Sequence, residues 1–349
     1  MKTTIRESES QKGKIKVYHL ENESGAWVEL SALGAGIIGV GVPDREGRIE
    51  NVALAYANPA DYLYDGPCLG KCPGRYANRI AKGHLEVDGT TYQLAINNGP
   101  NALHGGPEGF QNRIWESREI DNGVEFMYHS ADGEEAYPGN LTVKAIYTWS
   151  NDNVLTLRFE ADSDKATVIN MTNHAYWNLN GADSGTVLNH KLEIRADEWL
   201  PTDETLIPEA SAPAAVEGTP MDFRDAKEIG RDINAEFDAL KFGKGYDNCW
   251  ALRGWEPGKI IEDAVVLTAP ESGRRITMDT DQPGVQIYTG NWLAGSPNNQ
   301  SGKPYNDYDG VAIEAQGYPD APNRPDFPTQ LLKPGETYIR LIRFRFDTI

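Results

Sequence analysis

The sequence predicts an all-β protein, a large antiparallel β-sandwich with very few short helices. Many of its apolar segments are short and alternate with polar residues, which is the two-residue period of half-buried strands. The 35 glycines and 21 prolines divide these segments at the short intervals typical of sandwich loops. A helical pattern is predicted only over residues 225–240, where Gly230 interrupts it.

The individual strands follow from this alternation. A hairpin is predicted over residues 85–94, because Asp88-Gly89 at its centre is typical of a two-residue turn. A short apolar strand is predicted to end at Glu314, and residues 292–309 are predicted to form a loop that could carry binding groups. The other predicted strands are residues 14–20, 27–33, 124–129, 141–149, 154–160, 191–196, 264–267, 275–279, 285–288 and 338–346.

No change of composition and no repeat divides the 349 residues, so a single domain over residues 1–349 is expected. The formal net charge of -19 disfavours nucleic acid, which is bound by clustered lysine and arginine. It also disfavours an anionic membrane surface, and no run of about 18 apolar residues predicts a membrane span. A neutral or cationic small molecule is the expected partner.

Three cysteines, at spacings that fit neither a disulfide framework nor a zinc site, are interpreted as structural thiols. The first residues lack the apolar core of a signal peptide, so a reducing cytoplasm is expected.

Residues 34–39 match the G-x-G-x-x-G dinucleotide pattern. Gly41 and Pro43 leave no room for the helix that this pattern requires, and a bend between two strands is predicted instead.

Residues 168–179 combine the start of a buried strand with a high density of polar groups. The run begins with β-branched residues and then carries three asparagines, His174, Tyr176 and Trp177. Such groups cost free energy when they are buried without partners. A polar ligand would supply partners, although mutual hydrogen bonding at a strand end explains the run equally well. We expect a rigid strand that presents His174.

Four further stretches place polar side chains at turns or strand ends, and each also has a purely structural explanation as a loop, a satisfied histidine or a sheet-edge charge. Gly105 and Gly106 are expected to let the backbone beside His104 approach a ligand closely. The combination of amides, carboxylates and aromatic rings favours a neutral, polyhydroxylated ligand. The stretches are residues 74–80, 97–106, 244–248 and 311–320.

Taken in order, these stretches resemble the aldose 1-epimerases, or galactose mutarotases, over nearly the whole chain. The resemblance implies a very large antiparallel β-sandwich, the galactose mutarotase-like fold, with an open sugar-binding face. The matching runs are residues 74–80, 97–106, 172–179, 246–247, 283–291, 314–316, 319–321, 327–328 and 333–338.

The resemblance also implies roles for individual residues. Glu314 resembles the general base that takes the proton from the anomeric hydroxyl, and His174 resembles the general acid that protonates the ring oxygen. His104 resembles a second active-site histidine that is hydrogen-bonded to the sugar. The residues that resemble those holding the hydroxyls are Asn78, Arg79, Asp247 and Gln286.

The implied reaction interconverts the α and β anomers of a free hexose, such as galactose or glucose, by ring opening and reclosure. His174 is then expected to be protonated while Glu314 is ionised, a state that acidic surroundings of the histidine would favour. No metal, nucleotide or other cofactor is expected. Ala315 stands where the family commonly has threonine, which leaves one local contact to the site in doubt.

Three alternatives remain at this stage. A sugar-phosphate epimerase would use Arg75, Arg79 or Arg324, but the net charge disfavours it. A non-catalytic carbohydrate-binding module has no need for an acid–base pair. A glycosidase would use Asp247 and Glu314 as its carboxylates and would cleave aryl glycosides. For every reading the expected partner is a small sugar, and the chain is expected to be a monomer or homodimer.

Overall fold

Strands provide nearly all of the regular structure in the computed structural model, which describes residues 1–349. The first nine are β1 (Lys2–Ser10), β2 (Gly13–Glu21), β3 (Trp27–Ser31), β4 (Gly36–Pro43), β5 (Ile49–Asn51), β6 (Arg79–Ile80), β7 (His84–Val87), β8 (Thr90–Gln93) and β9 (Ala102–Leu103). The next ten are β10 (Glu116–Ile120), β11 (Gly123–Ser130), β12 (Leu141–Trp149), β13 (Val154–Ser163), β14 (Thr167–Val168), β15 (Tyr176–Trp177), β16 (Lys191–Ile194), β17 (Glu198–Trp199), β18 (Ala214–Ala215) and β19 (Lys227–Glu228). The last seven are β20 (Asp247–Ala251), β21 (Ile261–Thr268), β22 (Arg274–Thr280), β23 (Gly284–Tyr288), β24 (Val311–Gln316), β25 (Leu331–Leu332) and β26 (Tyr338–Thr348). The α-helix α1 spans Asp238–Gly243, and no helix of the protein could cross a bilayer.

Three sheets form the body of the fold. The largest has nine strands in the order β10-β11-β12-β13-β26-β22-β21-β16-β19. A six-stranded sheet has the order β15-β24-β23-β20-β17-β18, and a five-stranded sheet joins β1 to β5 in chain order. All strands pair antiparallel within their sheets. The predicted all-β antiparallel fold is therefore confirmed.

The inner face of the nine-stranded sheet packs against the other two sheets. β12 alternates buried and partly exposed residues along its whole length, as expected for a strand with one face in the core. Trp177 of β15 packs against Phe344 of β26, with ring centroids 5.1 Å apart. Tyr18 of β2 packs edge-on against Phe126 of β11 at 5.9 Å. The resulting core contains 63 buried residues from many parts of the chain. The single domain over residues 1–349 stays a prediction.

The strands predicted from alternation occur in the structure, with ends that differ from the prediction by three residues or fewer. The predicted hairpin is formed by β7 and β8, and Asp88 and Gly89 between them have φ values of 50° and 73°. Two consecutive positive φ values are typical of the type I′ turn that the Asp-Gly pair predicts. Of the glycines of residues 34–39, Gly34 lies in the predicted bend between β3 and β4, whereas Gly36 and Gly39 belong to β4 itself.

The predicted helix over residues 225–240 is wrong. β19 occupies Lys227–Glu228 and pairs with β16, a 3₁₀ turn follows, and α1 begins only at Asp238. The Gly230 N–H donates to the carbonyl of Leu188 at 2.7 Å, a bond that an α-helix would not leave available. Pairing at the sheet edge therefore outweighs the local helical pattern.

The prediction that His174 lies on a strand is also wrong. Residues 169–175 form an extended segment between β14 and β15 that is not itself a strand. Backbone bonds nevertheless fix it on both sides of His174. The His174 N–H donates to the Lys71 carbonyl at 2.8 Å, and the Gly70 N–H donates to the His174 carbonyl at 2.9 Å.

A buried histidine, His190, predicts acid-sensitive stability. His190 is fully buried, and its Nε2 accepts a hydrogen bond from the Leu179 N–H at 3.0 Å, so the ring is held neutral. Burial lowers the pKa of His190 to about 4. Because the unfolded chain takes up this proton near pH 6.5, stability is complete above that pH and is lost as the pH falls towards 4. Urea unfolding measures the free energy of unfolding at pH 7.5 and at pH 5.0. The decrease between the two pH values should be about 2 kcal/mol larger for the wild type than for His190→Gln. Equal losses in the two proteins would contradict this assignment.

Candidate active site

A cavity of about 570 Å³ opens over one face of the six-stranded sheet. It brings together six of the seven site residues predicted from the sequence. These six are Asn78, Arg79, His104, His174, Asp247 and Glu314. The seventh, Gln286, lies beneath the cavity rather than in its lining.

Strand register explains why His174 faces Glu314. In the pair β15–β24, Tyr176 lies opposite Ala312. His174 lies two residues before Tyr176 and Glu314 two residues after Ala312, and their side chains approach to 3.5 Å. In the next pair, β23–β24, Gln286 lies opposite Glu314. Side chains two residues apart share a face, so His174, Glu314 and Gln286 form one row across the sheet. The adjoining row contains Tyr176, Tyr288 and Asp247.

His174 and Glu314 are close but are not hydrogen-bonded to each other. The distance from His174 Nε2 to Glu314 Oε1 is 3.5 Å, longer than an ordinary hydrogen bond. Only 5% of His174 and 1% of Glu314 is exposed. Glu314 Oε2 and His174 Nδ1 are both buried without a hydrogen-bond partner. Unpaired buried polar atoms are costly, and they are found more often at functional sites than elsewhere in a core.

Burial shifts the two groups in opposite directions. It lowers the pKa of His174 to about 4 and raises the pKa of Glu314 well above its usual range. A smaller upward contribution to the pKa of Glu314 comes from the nearby charge of Asp247. These directions favour the pair with both groups neutral. They oppose the expectation that acidic surroundings keep His174 protonated, because loss of hydration outweighs the neighbouring charges.

His104 is held in one tautomer by the backbone beside it. The Asn78 N–H donates to His104 Nδ1 at 3.1 Å, so in the neutral ring the proton is on Nε2. The His104 and His174 rings meet edge to face, with centroids 5.4 Å apart. Since burial lowers the pKa of His104 as well, this residue is a neutral hydrogen-bond donor next to the pair.

Gly105 is required for packing rather than for ligand approach. A Cβ atom at Gly105 would lie 2.0 Å from the carbonyl oxygen of Gly74, and φ is 77°. At Gly106 a Cβ atom would collide with the side chain of Glu135. The expectation that these glycines expose the backbone to a ligand is therefore wrong, because other parts of the protein occupy that space.

Arg79, Asp247 and Gln286 form a connected group at the cavity wall. Arg79 Nε donates to Asn98 Oδ1 at 3.0 Å, and its guanidinium lies 3.6 Å from Asp247 Oδ2. Gln286 Nε2 donates to the other Asp247 oxygen at 2.7 Å. Gln286 therefore orients Asp247, which in turn faces the cavity.

Sequence reasoning missed several residues of the lining. The ring centroids of Tyr288 and Tyr176 lie 6.2 Å and 5.0 Å from that of His174. Trp292, 64% exposed, stands at the rim with the Lys244 ammonium 4.4 Å from its ring centroid. Its place at the start of the predicted 292–309 loop was the available signal. Nothing in the sequence marks Glu204, which also lies in the lining.

Two arginines considered for phosphate binding are engaged elsewhere. The guanidinium of Arg75 is buried and bonds to the carbonyls of Pro138 and Gly139. Arg324 is paired with Asp326 and bonds to the carbonyl of Glu209. Arg79 is the only arginine or lysine in the cavity lining. No group of three or more His, Cys, Asp or Glu side chains lies close enough to hold a metal ion.

Ala315 contributes to the core and not to the cavity. Its side chain is fully buried in the main apolar cluster, on the opposite face of β24 from Glu314. A threonine hydroxyl at this position would point away from the ligand face. The substitution therefore leaves the lining of the cavity unchanged.

Comparison with known proteins agrees with this geometry. Residues 16–345 match the sequence model of the family described as aldose 1-epimerase. The galactose mutarotase of Bos taurus is 41% identical over 96% of this chain and 95% of its own length. The aldose 1-epimerase of Escherichia coli (strain K12) is 40% identical over 94% of each chain. The crystal structure of galactose 1-epimerase from Lactobacillus acidophilus NCFM covers 100% of this chain and 99% of its own, with a TM-score of 0.86 and 30% identity. The chain belongs to the aldose 1-epimerase family.

Proposed function

We propose that this protein interconverts the α and β anomers of free hexoses such as galactose and glucose, with Glu314 as general base and His174 as general acid. The observation that carries the proposal is the 3.5 Å gap between His174 Nε2 and Glu314 Oε1 on the cavity face. The anomeric oxygen and the ring oxygen of a sugar are bonded to the same carbon, so an acid and a base this close can reach both at once.

Ring opening removes a proton from the anomeric hydroxyl and delivers one to the ring oxygen. Glu314 takes the first proton and His174 gives the second, so both groups are neutral in the ring-opened state. Burial favours this neutral pair, because it makes Glu314 a stronger base and His174 a stronger acid. Rotation about C1–C2 and closure on the other face then return both protons.

The remaining predicted residues would hold the sugar. His104 Nε2–H is available as a donor beside His174, and Asn78, Arg79 and Asp247 offer donors and acceptors for hydroxyl groups. Gln286 acts through Asp247. The faces of Tyr176 and Tyr288 could pack against the apolar side of the ring.

A neutral sugar suits this cavity better than a sugar phosphate. Arg79 is the only lysine or arginine of the lining, and it lies beside Asp247. A phosphate would therefore meet little uncompensated positive charge. In a polarimetric assay we expect kcat/KM for glucose 6-phosphate to be at least about 10-fold below that for glucose. An equal or higher kcat/KM for the phosphate would favour the sugar-phosphate epimerase.

A glycosidase is disfavoured by the engagement of Asp247. One oxygen of this carboxylate accepts from Gln286 and the other faces Arg79, so both are engaged within the protein and are poorly placed to act on a glycosidic bond. We therefore expect no cleavage of aryl glycosides.

The oligomeric state and the compartment stay predictions. The three cysteines are buried and free, which suits a reducing cytoplasm. Light scattering after gel filtration would distinguish the predicted monomer or homodimer.

A further inference from the structure

A loop with a buried ion pair lies directly behind His174. Residues 65–72, which we call the 65–72 loop, supply the Gly70 and Lys71 peptide groups that bond to both sides of His174. Gly66 and Pro67 of the same loop line the cavity. The carbonyl of Pro67 also accepts a hydrogen bond from the Tyr176 hydroxyl at 2.9 Å. The conformation of this loop therefore determines both a wall of the cavity and the backbone of the acid.

Lys71 is buried where a lysine would usually be exposed. The side chains of Lys71 and Asp65 are 1% and 0% exposed, and Lys71 Nζ lies 2.5 Å from Asp65 Oδ1. The same ammonium donates to the Tyr62 carbonyl at 2.5 Å and to Asn112 Oδ1 at 3.2 Å. The ammonium thus hydrogen-bonds to two acceptors, while its contact with Asp65 is an ion pair in which Oδ1 receives no hydrogen bond.

Asp65 is held by hydrogen bonds at one of its two carboxylate oxygens. Its Oδ2 accepts from the Tyr56 hydroxyl at 3.0 Å and from the Leu69 N–H at 2.8 Å. The pair therefore connects the two ends of the 65–72 loop to each other and to the surrounding protein. A buried ion pair is a poor way to gain stability, because apolar side chains of similar size often do as well. Its directional bonds are better suited to fixing one geometry.

We propose that the Asp65–Lys71 ion pair is a positioning element of the reaction, which holds the 65–72 loop in the conformation that aims His174 at Glu314. The inference rests on the proposed role of His174 as the acid. Neither Asp65 nor Lys71 lies in the cavity lining, so both act through the backbone of the loop.

The pair also contributes charge to a site with few other charges nearby. Lys71 adds to the lowering of the pKa of His174 that burial causes. When Asp65 is replaced by a neutral residue, its charge no longer balances that of Lys71. Both apparent pKa values of the His174–Glu314 pair are then expected to fall. The titratable or charged groups around the pair are His104, Tyr176, Tyr288 and Lys71 beside His174, and Asp247, Arg79 and Cys68 beside Glu314.

The test is Asp65→Asn, assayed by polarimetry with α-galactose from pH 5 to pH 9. Asparagine places an NH₂ group where one carboxylate oxygen of Asp65 was. This group would face either the Lys71 ammonium or the Tyr56 and Leu69 donors, so we expect the loop to shift. We expect kcat to fall about 10- to 100-fold, the effect of a small misplacement, while KM stays within about threefold. Both limbs of the pH–rate profile should move to lower pH.

Asp232→Asn is the matched control. Asp232, 27% exposed, pairs with the buried Lys227 at 2.7 Å outside the cavity lining, so this variant also removes the carboxylate partner of a buried lysine but should keep the wild-type kcat and pH profile. If Asp65→Asn does not fold, Tyr56→Phe removes only one donor to Asp65. We expect this milder variant to lower kcat about 2- to 5-fold.

Two results overturn the inference in distinguishable ways. If His174→Asn is inactive while the folded Asp65→Asn or Tyr56→Phe protein keeps the wild-type kcat and pH profile, the ion pair is only structural and the proposed function stands. If His174→Asn itself keeps the wild-type kcat, the proposed acid is wrong and the positioning role fails with it.

Discussion

Glu314→Gln is expected to lower kcat by about 10²–10⁴-fold, the usual contribution of a general base, and to change KM only modestly. Glutamine has the size of glutamate and keeps an oxygen at the same place, but it cannot take the proton from the anomeric hydroxyl. Initial rates of optical rotation change for freshly dissolved α-galactose, at several sugar concentrations, would give both constants.

The fold of the Glu314→Gln protein provides an independent check. Burial raises the pKa of Glu314, so the unfolded chain releases this proton more readily than the folded protein, and stability falls as the pH rises above the ordinary glutamate value. The melting temperature of Glu314→Gln at pH 7 should therefore equal or exceed that of the wild type. Glu193→Gln, an exposed strand residue of β16, is the control and should keep the wild-type kcat. A Glu314→Gln protein with a near wild-type kcat would show that another group is the base.

His174→Asn is expected to lower kcat by a similar factor of about 10²–10⁴. Asparagine keeps a polar side chain but has no proton to give the ring oxygen at neutral pH. His129→Asn, at an exposed position of β11, is the matched control and should be fully active.

The pH dependence of kcat provides the second readout for His174. Activity requires one proton to be shared by the His174–Glu314 pair, so the wild-type rate should fall at low pH, where a second proton binds, and at high pH, where the last is lost. In His174→Asn only one titrating group remains, and one limb should disappear. A flat wild-type profile from pH 5 to pH 9, with chemistry limiting the rate, would contradict the acid–base scheme.

The strands were predictable because their signal is local. β12 and β26 show the two-residue alternation in their own sequences, and the Asp-Gly turn of the 85–94 hairpin sets its own geometry. β1 was not predicted, because it is an edge strand with mostly exposed side chains and lacks an apolar face. The false helix over residues 225–240 shows the opposite error, since pairing between β19 and β16 cannot be read from a local pattern.

The site was only partly predictable from residue patterns. His104, His174 and Glu314 are far apart in the chain, and they meet through the register of β15, β23 and β24 and through a loop after β9. The pattern could mark each polar stretch but not their pairing, so the roles came from the family resemblance. Lys71 and Asp65 gave no signal, because charged residues in a loop are ordinarily exposed. Their side chains are buried against Tyr56, Tyr62 and Asn112, which are distant from the loop in sequence or carry no charge that would mark the site.

The most direct test of the central claim is polarimetry of α-galactose with the wild type, Glu314→Gln, His174→Asn and the double variant at equal concentrations. Residues that act as a unit on one proton-transfer step have non-additive effects. We therefore expect the wild type to accelerate mutarotation strongly and the double variant to match the slower single variant. A wild type no faster than buffer, or a double variant whose loss equals the product of the two single losses, would contradict the account.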